Sequence, residues 1–326
     1  MPNTLCHIGV QLPITRLVAG RDFLLWAVIA CIIPDLPWIT LRILVPVGLF
    51  DPYDLRLYCT AQASLFFCLF LSAALSCTAL RTGRVFLVLA GNCLFHLLLD
   101  PLEIKWGNGV HLVAPSHWNM LHLDLIWPEH PVVLAFTLAG FLLLLLSWKR
   151  IAAAPLGISW SPAKWAAGLL FLILYLAGPL FVLDKLEEAN TYHLHTLRMR
   201  EERPGKAIEL DRVHYNAREK TVKTFAGERI AVIGSQPEQS GRVSFRGRFQ
   251  TPGSFVVDSY HYHPDERDMA SLIGLFMACT LLFHSVLLSR FHAPNAGLRP
   301  QPKGCHPLPH SRGDKYLHEI QSKNKK

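Results

Sequence analysis

Charge is scarce in this chain. Asp, Glu, Lys and Arg make up 17% of 326 residues against 51% hydrophobic ones, and the mean hydropathy is +0.27. That balance excludes the usual soluble globular composition and points to a polytopic membrane protein. Cysteine is missing where it would build a framework. Of the eight, Cys6, Cys31, Cys68, Cys77, Cys93 and Cys279 lie in apolar stretches, Cys59 at the edge of one and Cys305 in the tail. The charged part between Asp184 and Asp268 therefore has none, which excludes a disulfide scaffold and a Cys-x-x-Cys metal clip. There is no basic n-region at the start, and a proline and a histidine interrupt the first apolar stretch, so no signal peptide is expected. No internal repeat and no second broken apolar segment is visible, which argues against a transporter of the inverted-repeat type.

What is present is a series of apolar runs of about the 20 residues that a bilayer span needs. Thr60–Leu80, Arg84–Pro101, Pro131–Trp148, Trp165–Leu183 and Ala270–Ser289 read as spans. Met1–Gly20 and Arg21–Ile33 read as two short antiparallel helices joined at Ala19-Gly20-Arg21. Pro34 and Pro37 are expected to break the second, with Trp38–Leu49 continuing beyond the break, and Phe50–Cys59 reads as a polar loop. Arg16, Arg21, Arg81, Arg84, Lys149, Arg150 and Lys164 then mark the cytoplasmic side by the positive-inside rule. The net charge is +8, and from Arg290 onward eight Lys/Arg stand against Asp314 and Glu319. That tail reads as disordered and directed at anionic lipid. Nucleic acid is not an expected partner, because no aromatic platform or folded basic face accompanies the charge.

The expected fold is mainly α, a polytopic helical membrane protein with a small all-β extracytoplasmic insert between its last two spans. Residues 1–150 form the helical membrane domain, 151–184 a cytoplasmic loop and a long span, 185–268 the β domain, 269–290 the last span and 291–326 the basic tail. Within the insert, Lys206–Val213, Arg229–Ile233, Arg242–Phe249 and Ser254–His261 alternate like strands, punctuated by Gly227, Gly234, Gly241, Gly247 and Gly253. Their length suggests a small barrel resembling the oligonucleotide/oligosaccharide-binding (OB) type.

The chemistry is carried by histidines and carboxylates. His96 and Asp100 are four apart on an apolar helix and share a face. Ionisable groups in such a segment are expensive to bury and mark functional sites. A hairpin at Gly20 returns His7 to the level of Asp35, and the topology brings both to the outer end of the bilayer with His96 and Asp100. The loop Glu103–His130 adds Trp106, His111, His117, Trp118, His122, Asp124, Trp127, Glu129 and His130. His111 or His117 could join the site. Two His-x-His pairs, His193/His195 and His261/His263, flank the insert. If both lie on strands, they could together bind a metal.

Met1-Pro2-Asn3-x-x-x-His7, Ile33-Pro34-Asp35, His96-x-x-x-Asp100 and Gly109-Val110-x-Leu112-x-x-Pro115 resemble the inner-membrane metal-dependent hydrolase family of the LexA-regulated type, distantly similar to zinc-dependent phospholipase C. The likeness covers about the first 150 residues. It implies that His7, Asp35, His96 and Asp100 are metal ligands. One motif departs: where that family carries Arg-Gly-x-Thr-His-Ser, this chain reads Tyr58-Cys59-Thr60-Ala61-Gln62-Ala63-Ser64-Leu65. Ser64 is kept, but the histidine position falls on Gln62 or Ala63, which implies a silent member or replacement by His111 or His117.

The function expected is a membrane-bound hydrolase of a bacterial inner membrane using a divalent metal, zinc by the character of its ligands. Asp35 or Asp100 would be the base that takes a proton from water. Its partners would be membrane lipids, and its substrate a phosphoester or a lipid-linked envelope molecule. The alternative is a catalytically silent scaffold whose outer β domain binds an envelope partner.

Overall fold

Asn3 opens the first helix by accepting the Cys6 amide proton at 2.9 Å, while its own amide donates to Thr137 Oγ1 at 2.8 Å. This cap fixes the start of α1 (Thr4–Val18) on a helix more than a hundred residues away. The structure is a computed structural model that describes residues 3–154, 156–190, 193–264 and 266–292. Beyond His292, the tail expected to be disordered lies outside the described residues.

After α1 the chain turns at Gly20 (φ +95) into a single apolar helical stretch, Arg21–Val47, comprising α2 (Leu24–Ile32), a 3-10 turn over Ile33–Asp35 and α3 (Leu36–Leu44). The break expected at Pro34 and Pro37 is only this turn. Both prolines occupy first-turn positions of the segments they begin, where the amide hydrogen they lack has no helical partner to lose. The sharp bend lies later, at 69° between α4 (Pro52–Gln62) and α5 (Leu65–Cys77). This corrects two expectations. The loop read over Phe50–Cys59 is largely helix, because Asp51 caps it by accepting from the Tyr53 and Asp54 amides and Pro52 sits at its first position. Thr60–Leu80 is not one straight span, because Ser64 takes extended dihedrals (φ −70, ψ 158).

Then come α6 (Thr82–Leu99), α7 (Pro131–Ala152), α8 (Pro162–Ala177) and the short α9 (Leu183–Ala189) and α10 (Leu194–Arg198). After the strands β1 (Ala207–Asn216), β2 (Thr221–Lys223), β3 (Arg229–Gly234), β4 (Gly241–Thr251) and β5 (Ser254–His263), α11 (Glu266–His292) closes the order. Among the described residues, five stretches are long and apolar enough to cross a membrane, and the bent α4–α5 pair would make a sixth.

Helices α1 and α7 cross at Gly9 and Gly140. A Cβ on Gly9 would overlap the Phe136 carbonyl, and one on Gly140 the Leu5 carbonyl, so the two backbones touch. α1 and α6 run antiparallel: His7 meets Asp100, and about two helical turns on, Thr15 exchanges hydrogen bonds with Asn92. α2 runs with α6, since Ala30 lies at Cys93 and Asp35 at His96.

The five strands close into a barrel in the order β1-β2-β3-β5-β4, with β3 and β5 parallel and the other pairs antiparallel. Tyr215, Phe245, Phe249 and Phe255 fill it. Alternation located four of these strands. β2, with three residues, was too short to show, and residues 185–202, expected to belong to the β domain, are largely helical. The barrel docks on the Glu103–His130 loop: Gly107 N donates to Glu209 Oε2 at 2.8 Å, Asn108 Nδ2 to Asp211 Oδ2 at 3.1 Å, and Arg246 lies over Trp106.

Candidate metal centre

Two helix ends and one turn carry the centre. His7 comes from the second turn of α1, Asp35 from the 3-10 turn after α2, and His96 and Asp100 from the end of α6, where Pro101 stops the helix. His7 Nε2 lies 3.3 Å from Asp100 Oδ1, His96 Nε2 3.9 Å from Asp100 Oδ2 and 3.6 Å from Asp35 Oδ1. The two imidazoles stack face to face, centroids 3.6 Å apart and 8° from parallel. The side chains of His7 and His96 are fully buried and that of Asp100 nearly so, whereas Asp35 keeps 13% of its side chain accessible. Asp35 is the side from which this cluster can be reached.

None of these approaches is a hydrogen bond. His7 Nε2, His96 Nε2 and Nδ1, Asp35 Oδ1 and Asp100 Oδ1 are all buried without one. Leaving a buried polar atom unsatisfied costs about 1–3 kcal/mol, more if it is charged, so five in one place require an explanation. One ligand atom each from His7, His96 and Asp100 falls within 4.8 Å of the others, close enough to hold one metal ion. The Gln11 amide lies 3.5 Å from His7 Nδ1. Its nitrogen faces that ring atom, while its oxygen accepts from the Cys31 thiol at 3.2 Å.

Two residues at the rim escaped the sequence reading. Buried Lys105 donates to the Asp100 carbonyl at 3.0 Å and lies 3.7 Å from both Asp100 Oδ1 and Glu103 Oε2. Gln11 and Lys105 carried no motif, and the only signal was their spacing of four and five residues from His7 and Asp100.

His111 and His117 stand apart. Among the described residues, neither belongs to a group of ligand atoms close enough to share an ion with His7, His96 and Asp100. His111 is buried against Trp118, whose carbonyl faces its Nδ1 at 2.9 Å, and burial pushes its pKa down to about 4. His117 is exposed. The histidine position of the motif that departs falls at the α4–α5 bend, where Gln62 turns to Tyr58 and the Tyr175 carbonyl.

The four-histidine site expected at the insert does not form. His193 begins α10 rather than lying on a strand, its Nδ1 faces the Glu209 carbonyl at 2.8 Å, and burial, aided by Arg56, pushes its pKa to about 3. His261 and His263 do share a face of β5, but their partner is Glu129. No family model, no curated protein and no solved structure matches the chain.

Proposed function

We propose that the chain is a multi-pass protein of a bacterial inner membrane and a divalent-metal-dependent hydrolase, with an OB-like barrel on the outer face. Membrane insertion is supported by the apolar windows of α8 and α7, of which only 11% and 22% are buried within the protein. Phe136, Leu138, Leu142, Leu146, Leu169 and Ile173 present that surface outward. Lipid is the solvent such a surface fits. Arg16, Arg21, Arg81, Arg84, Lys149, Arg150 and Lys164 cluster at the helix ends away from the barrel, which supports placing that end in the cytoplasm. The barrel's strand order is that of a closed five-stranded Greek-key barrel, which supports the OB-like reading.

The observation that carries the hydrolase reading is the cluster of five buried polar atoms, without hydrogen bonds, on His7, Asp35, His96 and Asp100. Two imidazoles and carboxylate oxygens form a donor set suited to zinc. When bound, such an ion supplies Lewis acidity and brings the pKa of its water to about 7. His7, His96 and Asp100 would hold it. Asp35, on the accessible side, orients the attacking water and accepts its proton. Lys105 would place a positive charge beside the developing anion. A centre at the barrel end of an apolar bundle favours a phosphoester or lipid-linked envelope substrate, whose tail stays in lipid. The absence of histidine at Gln62 or Ala63, where the resembled family has one, favours the alternative of a silent scaffold whose barrel binds an envelope partner.

The test is incubation of detergent-purified, zinc-loaded protein with an inner-membrane lipid extract, reading released phosphate esters by mass spectrometry. The hydrolase reading expects release that a chelator abolishes and that Asp35→Asn lowers about 10²-fold or more, the scale of a lost general base. Release indifferent to both, or none at all, would leave the scaffold.

A further inference from the structure

We propose that a second divalent cation binds between Glu129, His261 and His263, where the barrel meets the start of α7. His261 and His263 are two apart on β5 and lie on one face of the strand. Glu129 reaches them from the turn just before α7. Its Oε1 lies 2.6 Å from His263 Nδ1 and its Oε2 3.5 Å from His261 Nε2. One ligand atom from each residue falls within 4.8 Å of the other two. Trp127 stacks flat on His261, centroids 3.7 Å apart at 4°, and meets His263 edge-on at 5.6 Å. Neither imidazole is free to turn away.

Proton positions decide what belongs between them. Ser244 Oγ accepts the Arg212 amide proton at 3.0 Å and donates its own to Asp211 Oδ1 at 3.1 Å, since a carboxylate only accepts. Its 2.8 Å contact with His263 Nε2 is therefore donated by the ring. A neutral imidazole carries one proton. Nδ1 and Glu129 Oε1 are hydrogen-bonded at 2.6 Å, a place that a metal ion would take from a proton.

The neighbouring imidazole selects the metal. Glu129 Oε2 is buried without a hydrogen bond although His261 Nε2 is beside it. A proton on His263 satisfies one half of the site, whereas one ion reaches all three residues. The relay from His263 through Ser244 to Asp211 is the outer-shell support that metal-bound histidines carry. Arg212 lies 3.9 Å from Glu129 Oε1, with its other arm toward Asp268 at 3.7 Å, so its charge is shared with a second carboxylate. Two histidines and a glutamate form a zinc-type set of three with a position left open, and the ion pins β5 to the head of α7.

This site shares no ligand with the first and stands apart from the hydrolase reading. The test is zinc stoichiometry of the full-length protein in detergent, by competition with a chromophoric chelator, with folding followed by circular dichroism. Wild type is expected to bind two equivalents, His261→Ala one, Glu129→Gln one, and the pair with His96→Ala none. If His96→Ala changes nothing while His261→Ala removes the only equivalent, the first site fails and the second stands. Two results overturn the second site: a wild type binding one equivalent that His96→Ala abolishes, or unchanged stoichiometry in His261→Ala and Glu129→Gln.

Discussion

Burying a neutral imidazole makes stability depend on pH, and His193 and His111 are buried in this way outside the apolar spans. Burial lowers the pKa of His193 to about 3 and that of His111 to about 4, against about 6.5 in an unfolded chain. In the folded state neither binds a proton at pH 5, and in the unfolded state both do. Folding stability therefore falls as pH drops below about 6.5, each residue adding a slope that approaches 1.4 kcal/mol per pH unit. Thermal unfolding in detergent should show Tm declining between pH 7 and 5, and His193→Gln should flatten the decline. An unchanged slope in that variant would mean that His193 is already protonated in the fold. The sequence displayed both histidines but not this difference from His117, because burial depends on Trp118 and Glu209, which the fold brings in from elsewhere.

At the scale of elements, the centre depends on how closely α1 approaches α7. Gly9 and Gly140 let the backbones touch, and that contact sets the depth at which His7 faces Asp100. Gly140→Val would drive a side chain into the Leu5 carbonyl. Overpacking typically costs about 1–3 kcal/mol, and here it should also displace His7. The expected result is a lower Tm together with loss of metal at the first centre. Normal metal binding in a destabilised Gly140→Val would show that the crossing does not position His7. The convergence of α1, α2 and α6 was legible, since the turn at Gly20 and the charges at Arg16 and Arg21 fixed two antiparallel short helices. The placement of the bend was not. Proline is visible in a sequence, but Pro34 and Pro37 fall where proline is tolerated, while the 69° bend needs only Ser64 in an extended conformation. Nor could alternation show that His193 lies on a helix while His261 and His263 meet Glu129, because that pairing depends on how the barrel docks.

For the whole molecule, the proposed orientation places the barrel and the metal centre on the outer side and the cluster of basic helix ends in the cytoplasm. A reporter active only outside the cytoplasm, fused after Glu188, should be active, and the same reporter after Ala153 silent. The reverse pattern would invert every statement about which side the substrate comes from. The account as a whole rests on His7, His96 and Asp100 sharing a cation inside the helical bundle, with Asp35 beside it. Its most direct test is anomalous scattering from wild-type crystals, measured on both sides of the zinc absorption edge. The account predicts an edge-dependent peak enclosed by His7, His96 and Asp100, on the side facing Asp35. Density with no such peak, and the four side chains hydrogen-bonded among themselves or to water, would contradict it.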